Sequence, residues 1–209
     1  MDFRTRSILL AGVLLAALSA ATHAADAAAG KASYAVCVAC HGPNAEGSVA
    51  MNAPMLAGQE PWYLKRQLEA FKSGQRGTAH GDIYGMQMRP MATTIPDAAT
   101  EDKLVAWIAS LPAQPVKTTI TGDAAAGKAQ YAVCAACHGQ NAEGNEQLGG
   151  PRLAGQEDWY LVRQIRNYKA GIRNYDPKDI FGAQMRAMAA TLSSDKVIND
   201  VVAYINSLK

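Results

Sequence analysis

"CVACHGPNAEG", residues 37–47, returns as "CAACHGQNAEG" at residues 134–144. Each stretch holds the spacing Cys-x-x-Cys-His, and together they contain all 4 cysteines of the 209-residue chain. Three chemistries use a Cys-x-x-Cys pair: a redox dithiol, half of a zinc site, and covalent attachment of haem. A redox dithiol has no need of the histidine and normally lies in a βαβ pattern, which this chain lacks. Two pairs could supply four thiolates to one zinc ion, but zinc does not explain a histidine fixed directly after each pair. Haem explains all three residues. On a helix, positions i, i+3 and i+4 share one face, so two thiols can add to the porphyrin vinyl groups while the imidazole reaches the iron. The expectation is two covalently bound haem c groups, one on Cys37 and Cys40 and one on Cys134 and Cys137, with His41 and His138 as iron ligands.

The N-terminus sets the compartment. Arg4 and Arg6 precede an apolar run from Ile8 to Leu18, and "THA" ends at Ala24. This order is that of a secretory signal peptide, residues 1–24. The run is short for a membrane span. Export to the periplasm follows, where thiols without another role oxidise to disulfides. Here no further thiol exists to pair with either motif.

The duplication extends far beyond the motif at a constant offset of 97 residues, Cys134 against Cys37. "DAAAGKASYAVCVACHG" from Asp26 matches "DAAAGKAQYAVCAACHG" from Asp123. "PMLAGQEPWYLKRQLEAFKSG" from Pro54 matches "PRLAGQEDWYLVRQIRNYKAG" from Pro151, and "DIYGMQMRPMA" from Asp82 matches "DIFGAQMRAMA" from Asp179. Two tandem domains are expected, residues 25–111 and 123–209. Between them, residues 112–122 carry two prolines and a polar β-branched run that cannot continue a helix, and read as a linker.

Within each unit the periodicity is helical, so the fold class is all-α. Asp26 can cap a helix running to Cys37, Pro61 suits a first helical turn, and Leu64, Leu68 and Phe71 recur at helical spacing before Gly74. A last helix carries Leu104, Val105, Ile108 and Leu111, mirrored by Val201, Val202, Ile205 and Leu208. A few short helices and long loops give a thin apolar core for so small a domain. A buried haem supplies the rest.

A further iron ligand must come from elsewhere in each unit. Downstream of the motifs only Met88 with Met185, and Met91 with Met188, recur in register. Thioether sulfur is a soft ligand that raises the reduction potential. "QMR" is identical in both copies, which favours Met88 and Met185, with Met91 and Met188 as the alternative. His80 aligns with Pro177 and reads as a loop histidine.

Through "CVACH" and "CAACH", "PMLAGQ" and "PRLAGQ", and the Met-bearing "MQMRPMA" and "AQMRAMA", the chain resembles class I c-type cytochromes, and among them the dihaem c4 subgroup. The resemblance spans essentially everything after residue 24. It implies two cytochrome c domains joined by an extended linker, carrying electrons from quinol-oxidising complexes to terminal oxidases by transient docking at the membrane surface. It also implies His41 and His138 as proximal ligands, Met88 and Met185 as distal ligands, and the carbonyls of Pro54 and Pro151 as acceptors for the second imidazole nitrogen. The first unit departs from the second at Met86 and Pro90, where the second has Ala183 and Ala187.

Other repeated residues carry weaker expectations. Trp62, Trp159, Tyr63 and Tyr160 could pack on a porphyrin or on a helix, Arg89 and Arg186 could meet haem propionates, and "NAEG" shapes a turn. The whole chain has 20 basic and 18 acidic residues, far from the basic density of nucleic-acid binding. Arg163, Arg166, Lys169, Arg173 and Lys178 could form an acidic-partner docking face. Neither a nucleophilic triad nor paired catalytic carboxylates recur, so no catalytic residue and no small-molecule substrate are expected. The alternative is a haem subunit of a periplasmic oxidoreductase, such as a peroxidase or a sulfur-compound dehydrogenase.

Overall fold

A computed structural model describes residues 26–208. The signal-peptide segment, residues 1–24, lies outside the described residues. The described chain is all-α, with only isolated bridges, Ser48 to Ala53 and Asn145 to Gly150, in place of strands.

The first unit begins with a helix over 26–33 (α1), followed by a 3-10 turn Tyr34–Val36 and a short helix α2, Val38–His41. It continues with α3 (Pro61–Ser73), α4 (Ile83–Thr93) and α5 (Ala98–Ser110). The second unit has α6 (Ala124–His138), a 3-10 turn Glu146–Leu148, α7 (Asp158–Lys169), α8 (Ile180–Ala190) and α9 (Asp195–Ser207). The two units differ at their first helix, which is continuous in α6 and broken before Cys37. Two sequence differences flank the break, Ser33 against Gln130 and the β-branched Val38 against Ala135. The Ser33 hydroxyl donates back to the Ala29 carbonyl at 3.0 Å, a contact that bends helices, and the next turn tightens to 3-10. Asp123 caps α6 by accepting from the Ala125 and Ala126 amides. Asp26, expected to cap, is the first described residue of α1 and pairs with Lys103 at 3.1 Å.

Helices α4 and α8 carry the methionines. The sequence pattern did not reveal them, because their apolar residues form no stripe: Ile83, Tyr84, Met86, Ile180 and Phe181 are exposed, and Pro90 sits inside α4. Each starts from an aspartate cap, Asp82 to the Gly85 amide and Asp179 to the Gly182 amide. In each unit the Met-bearing helix lies against the helix before it: α4 on α3, α8 on α7. Helices α6 and α9 form the tightest pairing. Gly127 permits it, because a Cβ there would sit 1.9 Å from the Asp200 carbonyl oxygen. Gly127→Ala is accordingly expected to cost about 1–3 kcal/mol by overpacking, read as a lower denaturation midpoint of the second unit.

Residues 112–122 run between α5 and α6 without regular structure. Val116 packs on the core of the first unit and Ile120 on that of the second. The fixed point is Asp158, fully buried in the first turn of α7. Its carboxylate accepts from the Thr119 amide at 2.6 Å, the Thr119 hydroxyl at 2.5 Å and the Ile120 amide at 3.1 Å. Asp158→Ala strands these donors and is expected to destabilise the protein by about 2–3 kcal/mol, measurable by denaturant unfolding.

The units meet through a pseudo-twofold contact in which the same patch appears on both sides, the rule for an isologous interface. Arg66 donates to the Gly149 carbonyl and Arg163 to Asn52, residues that are equivalent at the repeat offset. Arg66 also lies 4.8 Å from the Phe181 ring centroid and Arg163 4.3 Å from that of Tyr84, a favourable cation–π geometry. Thr78 and Tyr175, again equivalent, hydrogen-bond to each other near the axis.

Candidate functional site

Each unit encloses one cleft, of about 1340 Å³ in the first and 1420 Å³ in the second, counting space open to solvent. Cys37, Cys40, His41 and Met88 line the first, and Cys134, Cys137, His138 and Met185 the second. The structure thus brings together all eight expected covalent and iron-binding residues, four per cleft. Met91 and Met188 border the same clefts but are more exposed, whereas Met88 and Met185 are half-buried.

The motif ends a helix in both units, and Gly42 and Gly139 then turn the chain with φ of 79° and 83°. Tyr34 and Tyr131 fasten this corner, each donating its hydroxyl to the glycine carbonyl at 2.8 Å. "NAEG" is a turn in which Ala45 and Ala142 take positive φ while fully buried. Their carbonyls accept from the Leu56 and Leu153 amides, which brings the Pro54 and Pro151 segments back over the histidines. The His41 Nδ1 lies 2.7 Å from the Pro54 carbonyl and the His138 Nδ1 2.6 Å from that of Pro151. With Nδ1 so engaged, the lone pair left for a metal is on Nε2. Burial holds both imidazoles below their ordinary pKa, against the upward pull of those carbonyls.

The thiols match haem attachment better than the other two chemistries. The two pairs line separate clefts and cannot converge on one zinc ion, and no cluster of three or more metal-binding side chains occurs among the described residues. Reactive dithiols have depressed pKa values. Here burial, with Cys40 nearby, pushes the Cys37 thiol up to about 11, and burial raises Cys134 as well.

The clefts share part of their walls, including Gln59, Tyr63, Gln67, Arg76, Gln156 and Tyr160. Five arginines line the clefts: Arg66, Arg76, Arg152 and Arg173 the second, and Arg76 and Arg163 the first. None forms a carboxylate salt bridge among the described residues, and the buried Arg76 Nε has no hydrogen-bond partner. A group bringing its own carboxylates, as haem does, fits this excess of cations. Arg89 and Arg186, expected to meet propionates, line neither cleft. The docking-face reading of the second unit's cations also needs correction: Arg163 and Arg173 turn inward onto the first unit, bonding Asn52 and Gln67, and Arg166 pairs with Asp195. The available signal was their recurrence, since Arg66 and Arg163, like Arg76 and Arg173, match at the repeat offset. Trp62 and Trp159 line neither cleft and stack beneath Arg66 and Arg163.

Two helical units, each closing a Cys-x-x-Cys-His helix end and a methionine around one apolar cleft, define a tandem c-type cytochrome. The cytochrome c family model matches residues 27–112 and again 124–209. The chain is 34% identical to cytochrome c4 of Azotobacter vinelandii over 213 aligned residues, covering 94% of this chain and 96% of that protein. It is 33% identical to the thiosulfate dehydrogenase electron acceptor of Stutzerimonas stutzeri (strain A1501), over 93% of this chain and 92% of that one. The crystal structure of reduced recombinant cytochrome c4 from Pseudomonas stutzeri aligns with a TM-score of 0.67 at 30% identity, over 88% of this chain and 98% of that one. The chain belongs to the cytochrome c family and, within it, to the dihaem cytochromes c4. Membership implies covalently bound haem c and a role in electron transfer.

Proposed function

We propose that the protein is a periplasmic shuttle that accepts single electrons from a quinol-oxidising complex of the cytochrome bc type and delivers them to a terminal haem-copper oxidase. Haem c, when bound, supplies a one-electron iron couple in each unit. Cys37, Cys40, Cys134 and Cys137 would hold it covalently, His41 and His138 would offer Nε2 to its iron, and Met88 and Met185 would offer sulfur, a ligand that raises the potential into the range of a carrier. A histidine and a methionine for each iron would leave no open position for a substrate, which supports a carrier over an enzyme.

The observation that carries this reading is the shared wall of the two clefts, which supports electron exchange between the units without a solvent crossing. No helix among the described residues is long and apolar enough to cross a membrane, and the N-terminal stretch expected to be a signal peptide supports export. A second reading is favoured by the similarity to a thiosulfate dehydrogenase electron acceptor: the donor is then a sulfur-compound dehydrogenase, and the fate of the electrons is unchanged. Stopped-flow mixing of the oxidised protein with each donor, and of the reduced protein with a haem-copper oxidase, separates the two. Rapid reduction by the quinol-oxidising complex and rapid oxidation by the oxidase are expected. Reduction only by the sulfur-compound enzyme overturns the first donor, and failure with the oxidase overturns the acceptor.

A further inference from the structure

The segments carrying the Pro54 and Pro151 carbonyls are each clamped by the opposite unit. In the first unit, Arg163 donates two hydrogen bonds to Asn52, one to its side-chain oxygen and one to its carbonyl, both at 2.8 Å. On the far side of Pro54, Met55 is held twice: its amide donates to the Glu157 carboxylate at 2.8 Å, and its carbonyl accepts from the Gln156 side chain at 3.1 Å. Arg163, Gln156 and Glu157 all belong to the second unit, and Gln156 and Glu157 are buried. The repeat reproduces the arrangement. Arg66 donates to the Gly149 carbonyl at 2.8 Å, the Arg152 amide donates to Glu60 at 2.8 Å, and the Arg152 carbonyl accepts from Gln59 at 3.2 Å. Each segment's own unit ties it further out on both sides, through the bridge from Ser48 to Ala53 or from Asn145 to Gly150 before the proline, and through the Leu56 and Ala57 amides on the Ala45 carbonyl, or the Leu153 and Ala154 amides on that of Ala142, after it.

We infer that the acceptor of each iron-facing imidazole is positioned by the other unit, so that Arg163 with Gln156 and Glu157 sets the His41 hydrogen bond, and Arg66 with Gln59 and Glu60 sets that of His138. Pro54 and Pro151 have no amide hydrogen of their own, so their carbonyls are aimed by the bonds of their neighbours. A firm acceptor on Nδ1 makes the imidazole more basic toward iron. Docking of the units therefore bears on both redox centres, and each arginine acts on the centre it does not share a unit with. The first clamp is the stronger, because Arg163 grips with a planar fork of two donors and Arg66 with one. This rests on the reading of His41 and His138 as iron ligands.

The test uses the full, haem-loaded chain in its reduced state. Deuterium exchange of the two Nδ1 hydrogens is followed by NMR in wild type, Arg163→Lys and Arg66→Lys. Lysine keeps the charge and loses the fork. Arg163→Lys is expected to speed exchange at His41 by about tenfold and leave His138 unchanged, with a rise in the potential of the first centre only. Arg66→Lys is expected to act at His138 alone, and less. Gln156→Ala, which removes the donor to Met55, repeats the first result should Arg163→Lys not accumulate. Unchanged exchange at His41, or faster exchange at His138 in Arg163→Lys, overturns the inference and leaves the acceptor to the ties of its own unit. A wild-type protein without iron-bound imidazole in either unit overturns the functional reading itself, and this inference with it.

Discussion

Replacing Cys134 and Cys137 together with alanine is expected to halve the haem content, from two per chain to one, and to leave the second unit unfolded. The reason is the shape of its core. The buried cluster from Tyr131 to Ile205 forms one side of a cleft and not a closed interior. Leu153, Leu161, Ile165, Leu192, Val201 and Ile205 all face the cleft. With nothing filling the cleft these side chains have no packing partner on one side, and such a void costs about 24 cal/mol per Å³, so even a partly collapsed cleft forfeits several kcal/mol. A domain's whole net stability is about 5–15 kcal/mol. Haem staining and haem-to-protein stoichiometry check the first half of the expectation. Limited proteolysis checks the second, with cleavage confined to residues beyond the linker. Two haems per chain, or a protease-resistant second unit carrying none, contradicts it.

Met88→Leu and Met185→Leu are expected to convert one centre each to a high-spin form, remove its share of the sulfur-to-ferric-iron charge-transfer band, and lower its potential. The fall is on the order of 0.1–0.2 V, within the ≈0.8 V that axial ligands span. Leucine conserves volume and polarity while deleting the donor atom, so the change isolates ligation from packing. Met185 packs against the second core, and a small stability loss accompanies its replacement. Met91→Leu and Met188→Leu are the controls. Both methionines are exposed at the cleft edge, and their replacement leaves the spectrum and the potentials unchanged. A lost band in a control variant transfers the assignment to the other methionine of the pair.

Much of this molecule is legible in its letters, for definable reasons. Chemistry needing fixed spacing leaves a local mark, and Cys-x-x-Cys-His is wholly local. Helices α3, α5 and α9 were legible because each buries one stripe, such as Leu104, Val105 and Ile108. Helices α4 and α8 were hidden because their apolar side chains point into a cleft or out to water instead of onto a protein core. The break before Cys37 coincides with two small differences, Ser33 against Gln130 and Val38 against Ala135, which periodicity cannot register. The arginine seam was misread for a different reason. Arg163 and Arg173 look like solvated cations in any single unit, and only the contact between two copies gives them partners. The recurrence of Arg66 as Arg163, of Arg76 as Arg173, and of Gln59 and Glu60 as Gln156 and Glu157 was the trace that contact left in the sequence.

The central claim, two His/Met redox centres in one chain, is tested most directly by an optical redox titration of the exported, haem-loaded protein across the visible spectrum and the sulfur-to-iron band. Two one-electron steps at positive potential, with that band present for both centres when oxidised, are the expected result. A low-potential or high-spin centre in either unit contradicts the account, because it means that Met88 or Met185 does not reach its iron.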